Sequence, residues 1–290
     1  MIYLLNAGFG EPLSGEDFAL IRSLGYVGIR QDVPSALGAA PSVASAAALV
    51  DNVLDAGLMG IFVIPADLAD ICHQIAHAVA RRAVERQQGR RVVIEVGNEE
   101  DLSSKRKRWA RDPVGWAALV SDVSVIAASH SNISPGGAVQ VVSGGVSSVS
   151  RHAMGWLERS HVRDLPIGVG YHQYRSTPPA EPLDGYGSRG DEFRVLRDAA
   201  GDRETWMTES GWHTAPRVSG CWPWKKTWSY TDAEVARYLS EEMARNDEVG
   251  ARCFVTYQLA DGPDGTNDQN RFGIRRFDGS LKPSARVLMT

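Results

Sequence analysis

The sequence predicts a closed (β/α)₈ barrel, the TIM-barrel class of α/β fold. Strand-like and helix-like runs alternate eight times, the longest connecting segments all follow strands, and several helix starts carry matching caps. Runs rich in Val, Ile and aromatics, bounded by Gly or polar residues, fall at 2–7, 26–30, 60–64, 92–96, 138–142, 165–170, 204–208 and 251–257. Helix-like segments lie between them at 14–24, 42–56, 66–88, 113–129, 147–160, 189–199 and 231–247, with 283–289 as a last helix. Ser14 stands three residues before Asp17, Asp112 precedes Pro113, and Thr231 precedes Asp232 and Glu234. Each places an oxygen acceptor where the first backbone N–H groups of a helix lack intrahelical partners.

The long segments 97–111, 171–188, 209–230 and 257–275 each begin where a strand ends. In a parallel barrel they gather on the C-terminal face, where this fold carries its chemistry. Alternation alone does not separate a closed barrel from a doubly wound open sheet. The first turn, Asn6 to Glu11, is glycine-rich but lacks the complete dinucleotide fingerprint, and no phosphate-binding lysine motif is present. A length of 290 residues is enough for one large core, and 1–290 reads as one domain.

Composition narrows the classes of function. A net charge of −4 with both signs scattered describes an ordinary surface, and the one dense basic run, Lys105 to Arg108, has no repeating aromatic platform beside it. Nucleic acid is therefore not an expected partner. The N-terminus lacks a basic segment and enters a strand directly, so neither a signal peptide nor a membrane anchor is expected. Cytoplasmic residence is the default, with secretion after removal of a leader as the alternative. Cys72, Cys221 and Cys253 are odd in number and far apart, which gives no disulfide framework and no zinc spacing. Asp261, Asp264 and Asp268 look superficially calcium-like but lack a complete calcium-loop spacing, and Asp261 to Gly265 reads more simply as turns. Neither metal nor cofactor is expected.

Two glutamates carry the functional reading. Glu99 follows the run Val92 to Val96 in Val-Val-Ile-Glu-Val-Gly-Asn-Glu, and Glu209 ends Glu-Thr-Trp-Met-Thr-Glu. As ends of two strands of one barrel they face each other across its mouth, an arrangement suited to glycoside hydrolysis. With Arg30 ending the second strand and His172-Gln173-Tyr174 after the sixth, the chain resembles the clan of retaining glycoside hydrolases built on the eight-fold barrel, especially its cellulase-like and mannanase-like family. The resemblance spans nearly the whole chain. It implies that Glu99, preceded by Asn98 after strand four, is the acid/base and that Glu209 after strand seven is the nucleophile. It also implies that Arg30 holds the nucleophile, that Tyr174 hydrogen-bonds it, and that His172 organises the site or meets sugar hydroxyls. Loop anchoring remains the alternative for Arg30 and His172.

The residue types suit these roles. One carboxyl group attacks the anomeric carbon while the other donates a proton to the leaving oxygen and later takes one from water. Asn98 can both donate to and accept from a 2-hydroxyl, or it can simply cap the strand. Glu100 and Asp101 compete for the carboxylate roles; on a continuing strand Glu100 would point away from Glu99. Trp212, Trp222, Trp224 and Trp228 cluster after strand seven, as sugar-stacking subsites or as loop packing. His213 is a further candidate for substrate contact. Trp116 is expected to pack within its helix, and Trp109 to border the active face. Tyr257-Gln258 stands where the resembled family commonly has a stacking Trp, a departure that loosens the substrate assignment. The expected partner is a β-glycan or β-glycoside, and the alternative is a carbohydrate-binding barrel without turnover. Oligomeric state is not legible in the sequence.

Overall fold

The computed structural model describes residues 1–7, 13–33, 42–102, 108–131, 137–175, 178–181, 189–219, 226–263 and 268–289. Eight parallel strands form the barrel: β1 (Ile2–Asn6), β2 (Gly28–Asp32), β3 (Met59–Ile64), β4 (Val92–Val96), β5 (Gln140–Ser143), β6 (Val169–Gln173), β7 (Thr205–Ser210) and, last in the chain, β10 (Cys253–Thr256). Around them lie α1 (Gly15–Ser23), α2 (Val43–Asp55), α3 (Ala69–Glu85), α4 (Pro113–Ser131), α5 (Arg151–Ser160), α6 (Arg189–Ala200) and α7 (Asp232–Glu248). A short antiparallel hairpin, β8 (Arg217–Ser219) with β9 (Lys226–Trp228), interrupts the connection after β7.

The ladder order is β5-β4-β3-β2-β1-β10-β7-β6. The β5/β6 seam is completed by isolated parallel bridges, Val142 with Gly168 and Val146 with Tyr171. Backbone hydrogen bonds reinforce it, including Ser143 N to Gly168 O at 2.9 Å and His172 N to Val146 O at 2.9 Å. The TIM-barrel class expected from the sequence is thus present, and an open doubly wound sheet is not.

The expected caps at Ser14 and Thr231 form reciprocal capping boxes with Asp17 and Glu234. Asp112 accepts from Gly115 N at 2.9 Å. Among the differences from expectation are the terminal segment and the sixth strand. The terminal segment forms only a short 3₁₀ turn, Pro283–Arg286, instead of a helix over 283–289. The sixth strand begins at Val169 instead of 165, because the chain leaves α5 through a second 3₁₀ turn at Val162–Asp164 and joins the sheet first by the Gly168 bridge. His172 therefore lies inside the strand rather than after it.

Side chains alternate between the barrel interior and the helix layer. The lower interior is an apolar plug of Leu4, Ile61, Val93, Val142, Trp206, Cys253 and Val255. One inward step up the same strands, chemistry changes: Asn6 follows Leu4, Arg30 follows Gly28, Glu95 follows Val93, and Thr208 follows Trp206. Burial of large apolar side chains, worth about 1.5–3 kcal/mol each, drives closure from below and from the helix layer. The polar tier stands on that floor.

The outward face of β6 is unusual. Tyr171, Gln173 and Arg175 point to α6 and α7 and are fully or almost fully buried. Tyr171 donates to Asn246, Gln173 donates to Glu192 at 3.1 Å, and Arg175 pairs with Glu192 and, at 3.3 Å, with Glu242. Charges buried this deeply are tolerated because each meets a partner. Among the described residues no helix is long and apolar enough to cross a membrane.

Candidate active site

Arg30 organises the polar tier from β2. Its Nε donates to Glu95 Oε2 at 2.6 Å and its NH2 to Glu95 Oε1 at 3.1 Å, while NH1 pairs with Glu209 Oε1. The remaining reach of the fork goes to Asn98 Oδ1, 3.0 Å from NH2. Burial works against the guanidinium charge, but Glu95 and then Glu209 more than reverse that and raise its pKa. A planar five-donor fork can serve these four acceptor atoms at once, one more than the three donors of a lysine.

Glu209 lies within β7, which runs on to Ser210, and both of its oxygens are engaged. Tyr174 donates its hydroxyl to Oε2 at 2.6 Å, and Asn6 Nδ2 lies 3.4 Å from Oε1. Burial first and Glu209 second push the Tyr174 hydroxyl well above the ordinary tyrosine range, so it remains a donor.

Glu99 is held differently. β4 ends at Val96, and Gly97 (φ 81°) and Glu99 (φ 54°) both take left-handed backbone conformations. A glutamate in that region is strained, and such strain persists where surrounding bonds impose it. Here Glu99 N donates to Gly145 O at 2.9 Å, Gly145 N donates to Glu95 Oε1 at 3.0 Å, and Asp101 accepts from Ser147 N at 2.8 Å and Ser147 Oγ at 2.6 Å. The expectation that strand alternation separates Glu99 from Glu100 does not hold, since neither is in the strand. Glu100 folds back to accept from Asn98 N at 3.2 Å and packs toward Gly97 and Ala66.

His172 joins the two glutamates. Its Nδ1 stands 3.3 Å from Glu99 Oε1 and 3.6 Å from Glu209 Oε2. Burial disfavours the imidazolium, yet Glu209 and Glu99 together outweigh burial and Arg30 and raise its pKa. One ligand-type oxygen from each glutamate and the His172 nitrogen all lie within 4.8 Å of one another. Gly145 makes this possible, because a Cβ there would collide with the His172 ring and sit 2.7 Å from Thr208 Oγ1. Gly145→Ala is expected to overpack the tier and cost about 1–3 kcal/mol, read as a lower urea midpoint at unchanged m-value. An unaltered midpoint would show that the ring moves aside freely.

The aromatic candidates separate. Tyr257 is buried and edge-on to Tyr174 at 5.9 Å and to Phe272 at 5.4 Å, and its peptide bond to Gln258 is cis. Burial and then Glu209 raise its hydroxyl pKa. Trp212 is 1% exposed and packs on Tyr238 of α7, 5.8 Å between ring centres, so it belongs to the core rather than to a sugar platform. His213 is buried too, with Nδ1 2.6 Å from Ala215 O and its ring beside Phe272. Trp222 and Trp224 lie outside the described residues. Trp116 is buried against Trp156, 4.9 Å between ring centres. Trp109 is also buried and donates to Ala66 O at 2.9 Å, anchoring the connection after β4. Asp261 spends its oxygens on Lys282 at 2.8 Å, Gly273 N at 2.8 Å and Arg271 at 3.3 Å, while Asp264 lies outside the described residues.

Sequence reasoning passed over Glu95, Asn6 and Gly145. The available signal was Glu95 itself, a charge at an inward position of an otherwise apolar strand. Such a charge requires a buried partner.

The barrel fold is shared with glycoside hydrolases of several families, among them 39, 17 and 5. A family 39 glycoside hydrolase from the gut symbiont Bacteroides cellulosilyticus superposes with a TM-score of 0.68 at 18% identity over 99% of this chain, which spans only 62% of that protein's length. Fungal β-1,4-galactanase superposes with a TM-score of 0.68 at 11% identity, covering 99% of this chain and 98% of that one. A family 5 lichenase from Caldicellulosiruptor sp., in complex with cellotetraose, gives 0.64 at 13% identity, covering 99% and 91%. At these identities the likeness is one of fold. No family model matches the sequence, and no curated protein matches it.

Proposed function

We propose that residues 1–290 form one catalytic unit that hydrolyses β-glycosidic bonds with retention of anomeric configuration. The observation that carries this reading is the meeting of Glu99, His172 and Glu209 within 4.8 Å on the C-terminal face of the barrel. Retaining enzymes hold their carboxyl groups about 5–5.5 Å apart, whereas inverting ones leave roughly 6.5–9.5 Å for a water molecule. The short separation favours direct attack by one of the pair.

Glu209, held by Arg30 and Tyr174, attacks the anomeric carbon while Glu99 protonates the departing oxygen. The C–O bond to the leaving group breaks as the glycosyl ester to Glu209 forms. Glu99, now a carboxylate, takes a proton from water, whose oxygen displaces Glu209 and restores the starting configuration. Asn98, its carbonyl oxygen fixed by Arg30, keeps its amide NH₂ for a sugar hydroxyl. The names lichenase and β-1,4-galactanase borne by proteins of the same fold support a β-glycan as the substrate class.

The test is proton NMR of the first product formed from a panel of aryl β-glycosides and β-glycans. The β-anomer is expected to appear first and then mutarotate. Initial appearance of the α-anomer would overturn the double displacement even if hydrolysis were observed.

A further inference from the structure

Three ligand atoms, one from each of Glu99, His172 and Glu209, meet at the mouth of the barrel. His172 Nδ1 stands 3.3 Å from Glu99 Oε1 and 3.6 Å from Glu209 Oε2, and the set spans no more than 4.8 Å. Ligand atoms around a tetrahedral zinc ion, with bonds of about 2.0–2.2 Å, stand roughly 3.3–3.6 Å apart. Two of the three edges therefore already have the length a bound ion needs. The third closes by rotation of Glu99, the more exposed of the two carboxylates at 9% against 5%.

Charge and ring orientation point the same way. With both mouth glutamates ionised and His172 neutral, as a ligating imidazole must be, Glu95, Glu99 and Glu209 set three negative charges against the positive charge of Arg30. A divalent cation cancels that excess. The His172 ring is fixed by burial and by its edge-on contact with Tyr174, 6.3 Å between centres. Its Nε2 has no hydrogen-bond partner and borders the same Gly145 face as Thr208 Oγ1, so it can keep the ring proton while Nδ1 offers a lone pair. One imidazole with two carboxylates suits zinc or copper better than calcium or magnesium, which prefer all-oxygen sets of six or more.

We propose that Glu99, His172 and Glu209 form a zinc-binding site, and that zinc and the sugar substrate exclude each other. The binding claim stands on the geometry; the exclusion rests on the hydrolytic reading above.

Calorimetric titration of the full chain with zinc chloride tests the binding, and glycoside turnover at saturating zinc tests the exclusion. One ion per chain is expected on the unaltered protein and on His130→Ala, which removes the exposed His77–His130 pair whose ring nitrogens lie 3.0 Å apart. His172→Ala should weaken binding by more than about 100-fold, since loss of even an outer-shell partner costs 10–100-fold. Glu99→Gln, close in shape, should weaken it too and serves if His172→Ala does not fold. Binding lost in His130→Ala, or kept in full in Glu99→Gln, would overturn the site. Zinc binding without turnover of any glycoside would defeat the hydrolytic reading and leave the site standing. Turnover indifferent to saturating zinc would defeat the exclusion.

Discussion

Glu209→Ala is expected to abolish turnover of every glycoside, by about 10⁴-fold or more, as removal of a nucleophile does elsewhere. Glu99→Ala should behave differently. Substrates with poor leaving groups need the proton it supplies and should slow by about 10²–10⁴-fold, whereas activated aryl glycosides need it far less. Azide distinguishes the two variants further. In Glu99→Ala it should attack the glycosyl ester on Glu209 and release a β-azide; in Glu209→Ala it should attack the substrate directly and give an α-azide. Rates for both leaving-group classes and the configuration of the azides are measured after circular dichroism has shown each variant folded. A leaving-group-dependent defect in Glu100→Ala, with Glu99→Ala unaffected, would transfer the acid role to the neighbour.

The second large effect is expected at Arg30. Arg30→Met removes the cation from between Glu95 and Glu209 and leaves Glu95 fully buried, with Gly145 N still donating to it. Breaking a buried pair in this way costs about 3–5 kcal/mol, while replacing both partners by apolar groups of similar volume is often close to neutral. Arg30→Met with Glu95→Leu should therefore regain most of the lost stability in urea titrations. It should not regain activity, because Glu209 still lacks its guanidinium. A double variant no more stable than the single one would show that Glu95 is tolerated without its partner.

What was legible in the sequence follows from the range of the forces involved. Ser14 with Asp17 and Thr231 with Glu234 act over three residues, and these caps could be read directly. Glu99 and Glu209 stand at counted strand ends, the resemblance to the glycoside hydrolase clan singles out Arg30, His172 and Tyr174, and the structure brings all five to one mouth. Glu95 was missed because its partner is 65 positions away and an isolated Glu looks like a strand-edge charge. The start of β6 was misplaced because Leu165, Pro166 and Ile167 form an apolar run continuous with Val169. The true ladder carries Tyr171 and Gln173 outward, with Arg175 just beyond its end, into a buried polar network that pattern reading assigns to solvent. Trp212 was grouped with its sequence neighbours, although Tyr238 of a later helix covers it.

The seam between β5 and β6, stitched by bridges instead of a continuous ladder, has a consequence for synthesis on the ribosome. Strands β1 to β5 can pair with one another in the order they emerge, whereas β1 must wait for β10 before its second edge is covered. Long-range parallel pairing of this sort is slow, and unpaired edges invite aggregation while it is pending. In the order of synthesis Glu99, after β4, emerges before Glu209 of β7. Each half of the barrel carries a single member of the carboxylate pair, so under the proposed mechanism hydrolysis has to wait until the two halves dock.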